Sequence, residues 1–238
     1  MEMILEGKVA LVTGGGKGIG RAIAESLAKQ GAKVAVSGRH KDALEPVANS
    51  VSGLAVTMDV REEASVRRAV SAVVDWGGSL DVLVNNAGIG LLSTSLGETT
   101  SEGWRDVLDT NLTGPFLLTR EAWPYLCEAQ GQILMLSSVA GTRGFHGASA
   151  YCASKFGLNG LTEVLKLEGA EFGVRVLALC PGAIATDIWG DMASTDELDR
   201  MMEPAQIGDL AARMLTTPRN IDLGNWVVLN AKDPFSAP

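Results

Sequence analysis

Lys8-Val9-Ala10-Leu11-Val12-Thr13-Gly14-Gly15-Gly16-Lys17-Gly18-Ile19-Gly20 is the stretch that decides the fold. It opens on a short apolar, β-rich run and passes directly into five glycines. Beyond them Ile23, Leu27 and Ala28 recur on one helical face until Gly31 closes the helix. Lys33-Val34-Ala35-Val36-Ser37 reads as the next strand, which makes a strand–helix–strand unit. The glycines have a physical task. The first permits a sharp turn off the strand, the next lets backbone N–H groups approach a pyrophosphate, and the last lets the helix pack closely. The helix N-terminus adds partial positive charge. A glycine-rich loop alone is often only a turn. This one leaves a strand and opens a helix, so it points to dinucleotide binding.

Working outward, the second strand ends in Gly38-Arg39-His40, where dinucleotide sites commonly carry an acid for the ribose hydroxyls. A guanidinium in place of that carboxylate suits a 2′-phosphate, which Arg grips bidentately. NADP(H) is therefore the expected cofactor, with NAD(H) possible, and Lys17 offers a second positive charge. The plainer reading leaves Arg39 as a solvated loop residue. Leu54 to Met58 reads as a third strand ending at Asp59-Val60. Asp59 is placed to accept from an adenine amine or to cap the helix that begins near Glu62 and ends at Trp76-Gly77-Gly78. Leu80 to Val84, Gln132 to Ser137, Val174 to Cys180 and Trp226 to Leu229 read as further strands. A helix over 101–127 holds Asn111 ahead of a Thr-Gly pair, which predicts a kink. Strand and helix alternate with short links and no repeat. The expected fold is one α/β domain over 1–238, a Rossmann-type doubly wound parallel sheet of about seven strands with helices on both faces.

The chain's 238 residues carry a net charge of −8 and are 46% hydrophobic, which suits a globule with a sizeable core and disfavours nucleic acid as a partner. Met1 to Glu6 carries acids where a signal peptide needs a basic region, and no apolar run is long enough for a membrane span. Cys127, Cys152 and Cys180 form no metal-ligand spacing and read as reduced packing thiols. With only His40 and His146 present, no metal site is expected. The expected compartment is the cytoplasm.

Tyr151 and Lys155 stand four apart within a helical pattern running from Ser149 to Phe172, so both side chains share a face. An unperturbed phenol titrates near 10, and an ammonium beside it favours the phenolate. Ser138, thirteen residues before Tyr151 on a strand-to-loop exit, can donate to the same oxygen. The trio makes a site for moving a proton on or off a carbonyl or alcohol oxygen. Alone, such a pair is more often a half-buried tyrosine near a solvated lysine.

Thr13-Gly-x-x-x-Gly18-x-Gly20, Asn85-Asn86-Ala87-Gly88, Asn111, Ser138, Tyr151-x-x-x-Lys155 and Pro181-Gly182 with Thr186 occur together in this order. Over nearly the whole chain they resemble the short-chain dehydrogenase/reductase family. The resemblance implies that Tyr151 is the general acid/base and that Lys155 lowers its pKa and binds the nicotinamide ribose. It implies that Ser138 polarises the substrate carbonyl and that Asn111 holds a water linking Lys155 to solvent. Gly14, Lys17, Gly18, Ile19, Gly20, Arg39, Asp59 and Val60 would hold the rest of the cofactor. Asn85, Ala87 and Gly88 would line its cleft, and Pro181, Gly182, Ile184 and Thr186 would embrace the nicotinamide. Two departures stand out. The lid segment near 183–205 is short and acidic, which predicts an open pocket, and the C-terminal stretch lacks the usual Asp-Gly-Gly ending.

Pocket walls are expected from Leu91, Val139, Phe145, Ile188 and Trp189, an apolar set suited to a ketone or aldehyde, unless several of these pack into the core or an interface. The alternative is reduction of 3-oxoacyl groups on acyl carrier protein. The segment Cys127 to Gln132 before the fifth strand has no positive charge for an acidic carrier, although Arg105, Arg120, Arg143 and Arg175 are candidates for a patch. A non-catalytic NADP-binding regulator on the same fold is the third reading. The apolar faces of helices 101–127 and 151–172, by the same resemblance, imply a homodimer or homotetramer.

Overall fold

Successive residues of β1 (Val9–Thr13) point to opposite faces of the sheet, and both faces are covered. Ala10 and Val12 pack on one side with Ile23 and Leu27 of α1 (Gly18–Lys29), Leu44 and Val47 of α2 (Lys41–Ser50), and Ile207 and Met214 of α8 (Pro204–Thr216). Val9 and Leu11 pack on the other with Val70 and Val73 of α3 (Glu63–Gly77), Leu118 and Leu126 of α5 (Gly114–Glu128), and Leu158 and Leu165 of α6 (Ser149–Ala170). Strands buried on both faces are what a parallel sheet requires. The computed structural model describes residues 4–230; Met1 to Met3 and 231–238, the ends of the expected domain, lie outside the described residues.

All seven strands are parallel, in the order β3-β2-β1-β4-β5-β6-β7. The others are β2 (Lys33–Gly38), β3 (Leu54–Thr57), β4 (Val82–Asn85), β5 (Gln132–Leu136), β6 (Arg175–Pro181) and β7 (Asn225–Val228). Most strand ends fall within a residue or two of the sequence expectation. The winding reverses between β1 and β4, and at such a switch point the loops leaving the carboxyl ends splay apart and leave a crevice.

The helix expected over 101–127 is interrupted. α4 (Ser101–Leu108) passes into a π-helical turn, Asp109–Thr113, before α5 resumes. The predicted kink at Asn111 is therefore a π-bulge, a common device at functional sites. Between β6 and β7 stand a 3₁₀ segment (Asp187–Met192), α7 (Thr195–Leu198) and α8. Neither α2, α7 nor α8 was evident from the sequence. Pro46 inside α2 disguises its periodicity, whereas Pro204 at the start of α8 and the Glu203/Gln206 capping box are recognisable start signals.

Candidate active site

The glycine loop is fastened to the turn after β4. Thr13 Oγ1 accepts from the backbone N–H groups of Asn86 (3.0 Å) and Ala87 (2.9 Å), and Asn86 Nδ2 donates to the Thr13 carbonyl at 2.7 Å. Gly14 has φ +63°, and a Cβ there would stand 2.8 Å from Asn86 Nδ2; one on Gly20 would stand 2.3 Å from the Gly14 carbonyl oxygen. Only glycine fits either place. The first turn of α1 carries no acid, and Lys17 makes no side-chain cap, so its leading N–H groups stay available to an anion. This loop fits a dinucleotide phosphate. Ile19 packs against the core on one face of the sheet and Val60 and Ala87 on the other, and Val60 turns its side chain onto Gly114 rather than outward.

Asn85 departs from expectation. Its side chain is buried and donates to Thr119 Oγ1 (3.1 Å) and Met135 Sδ (3.3 Å), so it braces β4 against α5 and β5, and Asn86 does the fastening at the loop. Lys17 is exposed, and its Nζ pairs with the equally exposed Asp187 Oδ2 at 2.6 Å, a contact that solvent screens. Asp59 is no helix cap. Its carboxylate is clamped by Arg61, and the cap position of α3 is Glu62. Arg39 is exposed and, among the described residues, makes no side-chain hydrogen bond or ion pair.

Tyr151 lies in the first turn of α6 and Lys155 in the second. Lys155 is buried, and its Nζ donates to the Leu136 carbonyl at 2.8 Å, lying 5.7 Å from the Tyr151 ring centre. Ser138 caps the short turn Val139–Gly141, accepting from Ala140 N at 3.1 Å, and donates to the Pro181 carbonyl at 3.5 Å. Burial pushes the Tyr151 phenol up to about 12, opposed by its hydrogen bond to Ser138. Burial also pushes Lys155 down to about 8. The expected lowering of the phenol by the ammonium is thus not what this geometry does. The Leu136 carbonyl takes the ammonium, and desolvation governs the phenol.

Asn111 sits in the π turn, buried. Its Oδ1 accepts from Ile89 N at 2.8 Å, while Nδ2 donates to the Ile89 carbonyl (2.9 Å) and Ser154 Oγ (3.1 Å). Both amide protons are committed, so the residue first of all fastens the loop after Gly88 to α6, beside the Tyr151 carbonyl that Ser154 also reaches at 2.7 Å. Asn159 was overlooked in the sequence, although the four-residue spacing through Tyr151 and Lys155 leads straight to it. It is buried, donates to the Gly141 carbonyl at 2.9 Å and accepts from Cys180 Sγ at 3.8 Å. It therefore ties α6 to the Ser138 turn and to the end of β6.

The substrate-side residues divide. Phe145 joins Leu92, Tyr151, Ala140, Ala148 and Cys152 in one apolar cluster, with the Arg143 guanidinium 5.1 Å over its ring. Val139 is buried in the turn that Ser138 caps. Leu91 leans on α4 at Gly103, and Ile188 packs over Gly90. Trp189 donates its indole N–H to the Ile184 carbonyl at 2.8 Å, and Ile184 is buried. Thr186 faces Gly18, and Gly182 N donates to the Val228 carbonyl. The segment after β6 thus reaches both flanks of the cleft. Among the described residues no group of three His, Cys, Asp or Glu could hold a metal, and no helix is long and apolar enough to cross a membrane.

Known proteins agree with this arrangement. A family model described as short chain dehydrogenase matches residues 8–197. A 3-oxoacyl-[acyl-carrier-protein] reductase from Vibrio cholerae is 36% identical over 222 residues, 92% of this chain and 88% of the relative. An L-fucose dehydrogenase from Bos taurus is 33% identical over 220 residues, 86% and 82% of the two chains. An alcohol dehydrogenase from Thermococcus sibiricus, solved with 5-hydroxy-NADP, superposes with a TM-score of 0.88 at 26% identity, covering 95% of this chain and 97% of that one. A shared fold alone would leave the chemistry open, but likeness of this extent in sequence as well makes the chain a member of the short-chain dehydrogenase/reductase family, an oxidoreductase that acts on alcohols or carbonyls with a nicotinamide cofactor.

Proposed function

We propose that the enzyme reduces an apolar ketone or aldehyde with NADP(H), and carries the same reaction in reverse. The observation that carries this reading is the Tyr151 phenol, hydrogen-bonded to Ser138 and bordered by the Leu92 and Phe145 cluster. A phenol at about 12 is protonated throughout the physiological range, ready to give its proton to a carbonyl oxygen that is gaining charge. Ser138 orients that oxygen, and Lys155, buried beside the phenol's ring, is the cation that would hold ribose hydroxyls. The cofactor, when bound, supplies the hydride. Leu92, Phe145 and Cys152 offer a substrate apolar contact and little polar direction.

Preference for NADP(H) is supported by Arg39, exposed just after β2 and making no side-chain hydrogen bond or ion pair among the described residues. The Thermococcus relative's bound NADP derivative agrees with it. The Vibrio relative favours a second reading, reduction of a 3-oxoacyl thioester. Against docking of an acidic carrier, two of the four candidate arginines are spent elsewhere. Arg120 pairs with Glu63 and Arg175 binds the Thr217 and Ile221 carbonyls at the amino end of β6, the opposite end of the sheet from Arg143. Exposed Phe116 on α5 and Phe156, Val164 and Leu167 on α6 support assembly of the chain into a homodimer or homotetramer.

The test is consumption of NADPH and of NADH against a panel of apolar ketones, aldehydes and a 3-oxoacyl thioester. Turnover of free ketones with NADPH supports the proposal. Turnover of the thioester alone moves the substrate to acyl chains, and faster use of NADH overturns the role given to Arg39. Cofactor binding with no turnover of any substrate would favour the regulator.

A further inference from the structure

β2 and β3 lie side by side with Gly38 opposite Thr57, and Met58 N donates to the Gly38 carbonyl at 2.8 Å. The two chains therefore leave the sheet together, one into Arg39 and the other into Asp59. A carboxylate here is a liability for a phosphorylated ribose, since its charge cancels that of Arg39 and repels the phosphate. Asp59 is not left bare. Arg61 reaches back two residues, with Nε 3.0 Å from Oδ1 and 3.2 Å from Oδ2 and Nη2 2.7 Å from Oδ2, while its own backbone N–H donates to Oδ1 at 3.0 Å. The remaining nitrogen, Nη1, lies 3.4 Å from Asp106 Oδ1 at the far side. The fork-shaped guanidinium matches the carboxylate as a lysine could not. Arg61 remains about one-third exposed and Asp59 less so, 35% and 18% by side chain, so the pair is held at the cleft's edge and is only partly screened.

We propose that Arg61 is a specificity-determining residue: by clamping Asp59 it offsets the carboxylate that leaves the sheet beside Arg39 and makes this edge more favourable to a dinucleotide bearing a 2′-phosphate on its adenosine ribose. The inference rests on the NADP(H) reading above. Arg61 is a cation on the adenosine side of the cleft additional to Lys17, whose exposed Nζ pairs with Asp187. With Arg61 present, Arg39, Arg61, Asp59 and Asp106 sum to no net charge; without it they sum to one negative charge. The arginine's task is electrostatic and local, so NADH, which lacks the phosphate, should scarcely notice its loss.

The experiment measures dissociation constants for NADPH and NADH by nicotinamide fluorescence, at low and at moderate salt. The proteins are the wild type, Arg39→Ala, Arg61→Gln, Arg61→Lys and the double variant Asp59→Asn/Arg61→Gln. The expected result is a wild type that prefers NADPH. Arg61→Gln should weaken NADPH about five- to tenfold and NADH less than twofold, as loss of one partly exposed charge opposite a dianion implies. Arg61→Lys should keep most of the NADPH affinity. The double variant should regain the preference for NADPH over NADH, whatever the loss of Asp59 costs both cofactors, because removing the carboxylate removes the need for its partner. Equal weakening of both cofactors by Arg61→Gln, no change, or failure of the double variant to recover overturns the proposal while leaving Arg39 its role. A wild type indifferent to the phosphate, with Arg39→Ala equally indifferent, overturns the NADP(H) reading and this inference with it.

Discussion

At the scale of single residues, the pair to which the proposal gives the chemistry is held under strain of charge rather than of backbone. Lys155 is buried with its ammonium on one carbonyl, and burial lowers its pKa from 10.5 to about 8. Below pH 8 the folded protein therefore carries a charge that the unfolded chain would rather keep in water. Between about 8 and 10.5 the unfolded state binds more protons, so stability rises with pH across that window. Lys155→Met should abolish this rise and, at pH 7, stabilise the fold by about 1–2 kcal/mol while ending turnover, because release of the buried charge outweighs the lost hydrogen bond. Thermal melts of both proteins from pH 7 to 10 check it; a flat wild-type profile would contradict it. Asn159→Leu should act in the other direction. It leaves the Gly141 carbonyl without its buried donor and should cost about 1–3 kcal/mol, read as a lower melting temperature. It should also reduce turnover more than cofactor affinity, since what it loosens is the Ser138 turn against α6. Tyr151, Lys155 and Ser138 were legible from type and spacing. Their electrostatics were not, because the partner of Lys155 is the Leu136 carbonyl, a backbone group that no sequence pattern announces.

At the scale of elements, the fold could be read wherever apolar periodicity and glycine punctuation agree. Strands such as Val9 to Thr13 and Gln132 to Leu136, buried residue after residue, follow from their β-rich composition. α2 is obscured by the proline that interrupts it, whereas α8 carries start signals in Glu203, Pro204 and Gln206 after an acidic, weakly patterned stretch. The π turn illustrates the limit: a kink could be read at Asn111, but not that an extra residue would be inserted there to bring its amide onto Ile89. The amino ends of the strands are secured by Asp81, which accepts from Lys8 Nζ, Val9 N and Ser79 Oγ. Burial raises the Asp81 carboxyl, but these three donors outweigh it and hold the group below the usual carboxylate value. Such a group stabilises the fold above the unfolded pKa of about 4, and the contribution is lost as pH falls through the lower folded value. Asp81→Asn should lower stability by about 1–3 kcal/mol at pH 7 and by progressively less toward pH 3, in melts of the two proteins side by side. An unchanged difference across that range would show that the charge is irrelevant to the junction.

At the scale of the whole molecule, the parallel sheet gathers at one crevice segments far apart in the sequence: the glycine loop, the turn after Asn85, the Ser138 turn, the start of α6 and the segment after Pro181. Topology alone makes them neighbours, which is why their joint occurrence in order could be read as a site before any distance was known. Substrate identity was less legible, because Leu91, Val139 and Trp189 spend their side chains or polar atoms on the protein itself, and the apolar face that remains centres on Leu92 and Phe145. The central claim is that Tyr151 delivers the proton while other residues hold the cofactor. The measurement that tests it most directly is steady-state NADPH oxidation by wild type and Tyr151→Phe with the best ketone of the panel, alongside NADPH binding by fluorescence. The account predicts loss of turnover by at least about a hundredfold, the low end of what positioned general acids contribute, with the dissociation constant within about twofold. Undiminished turnover in Tyr151→Phe would contradict it.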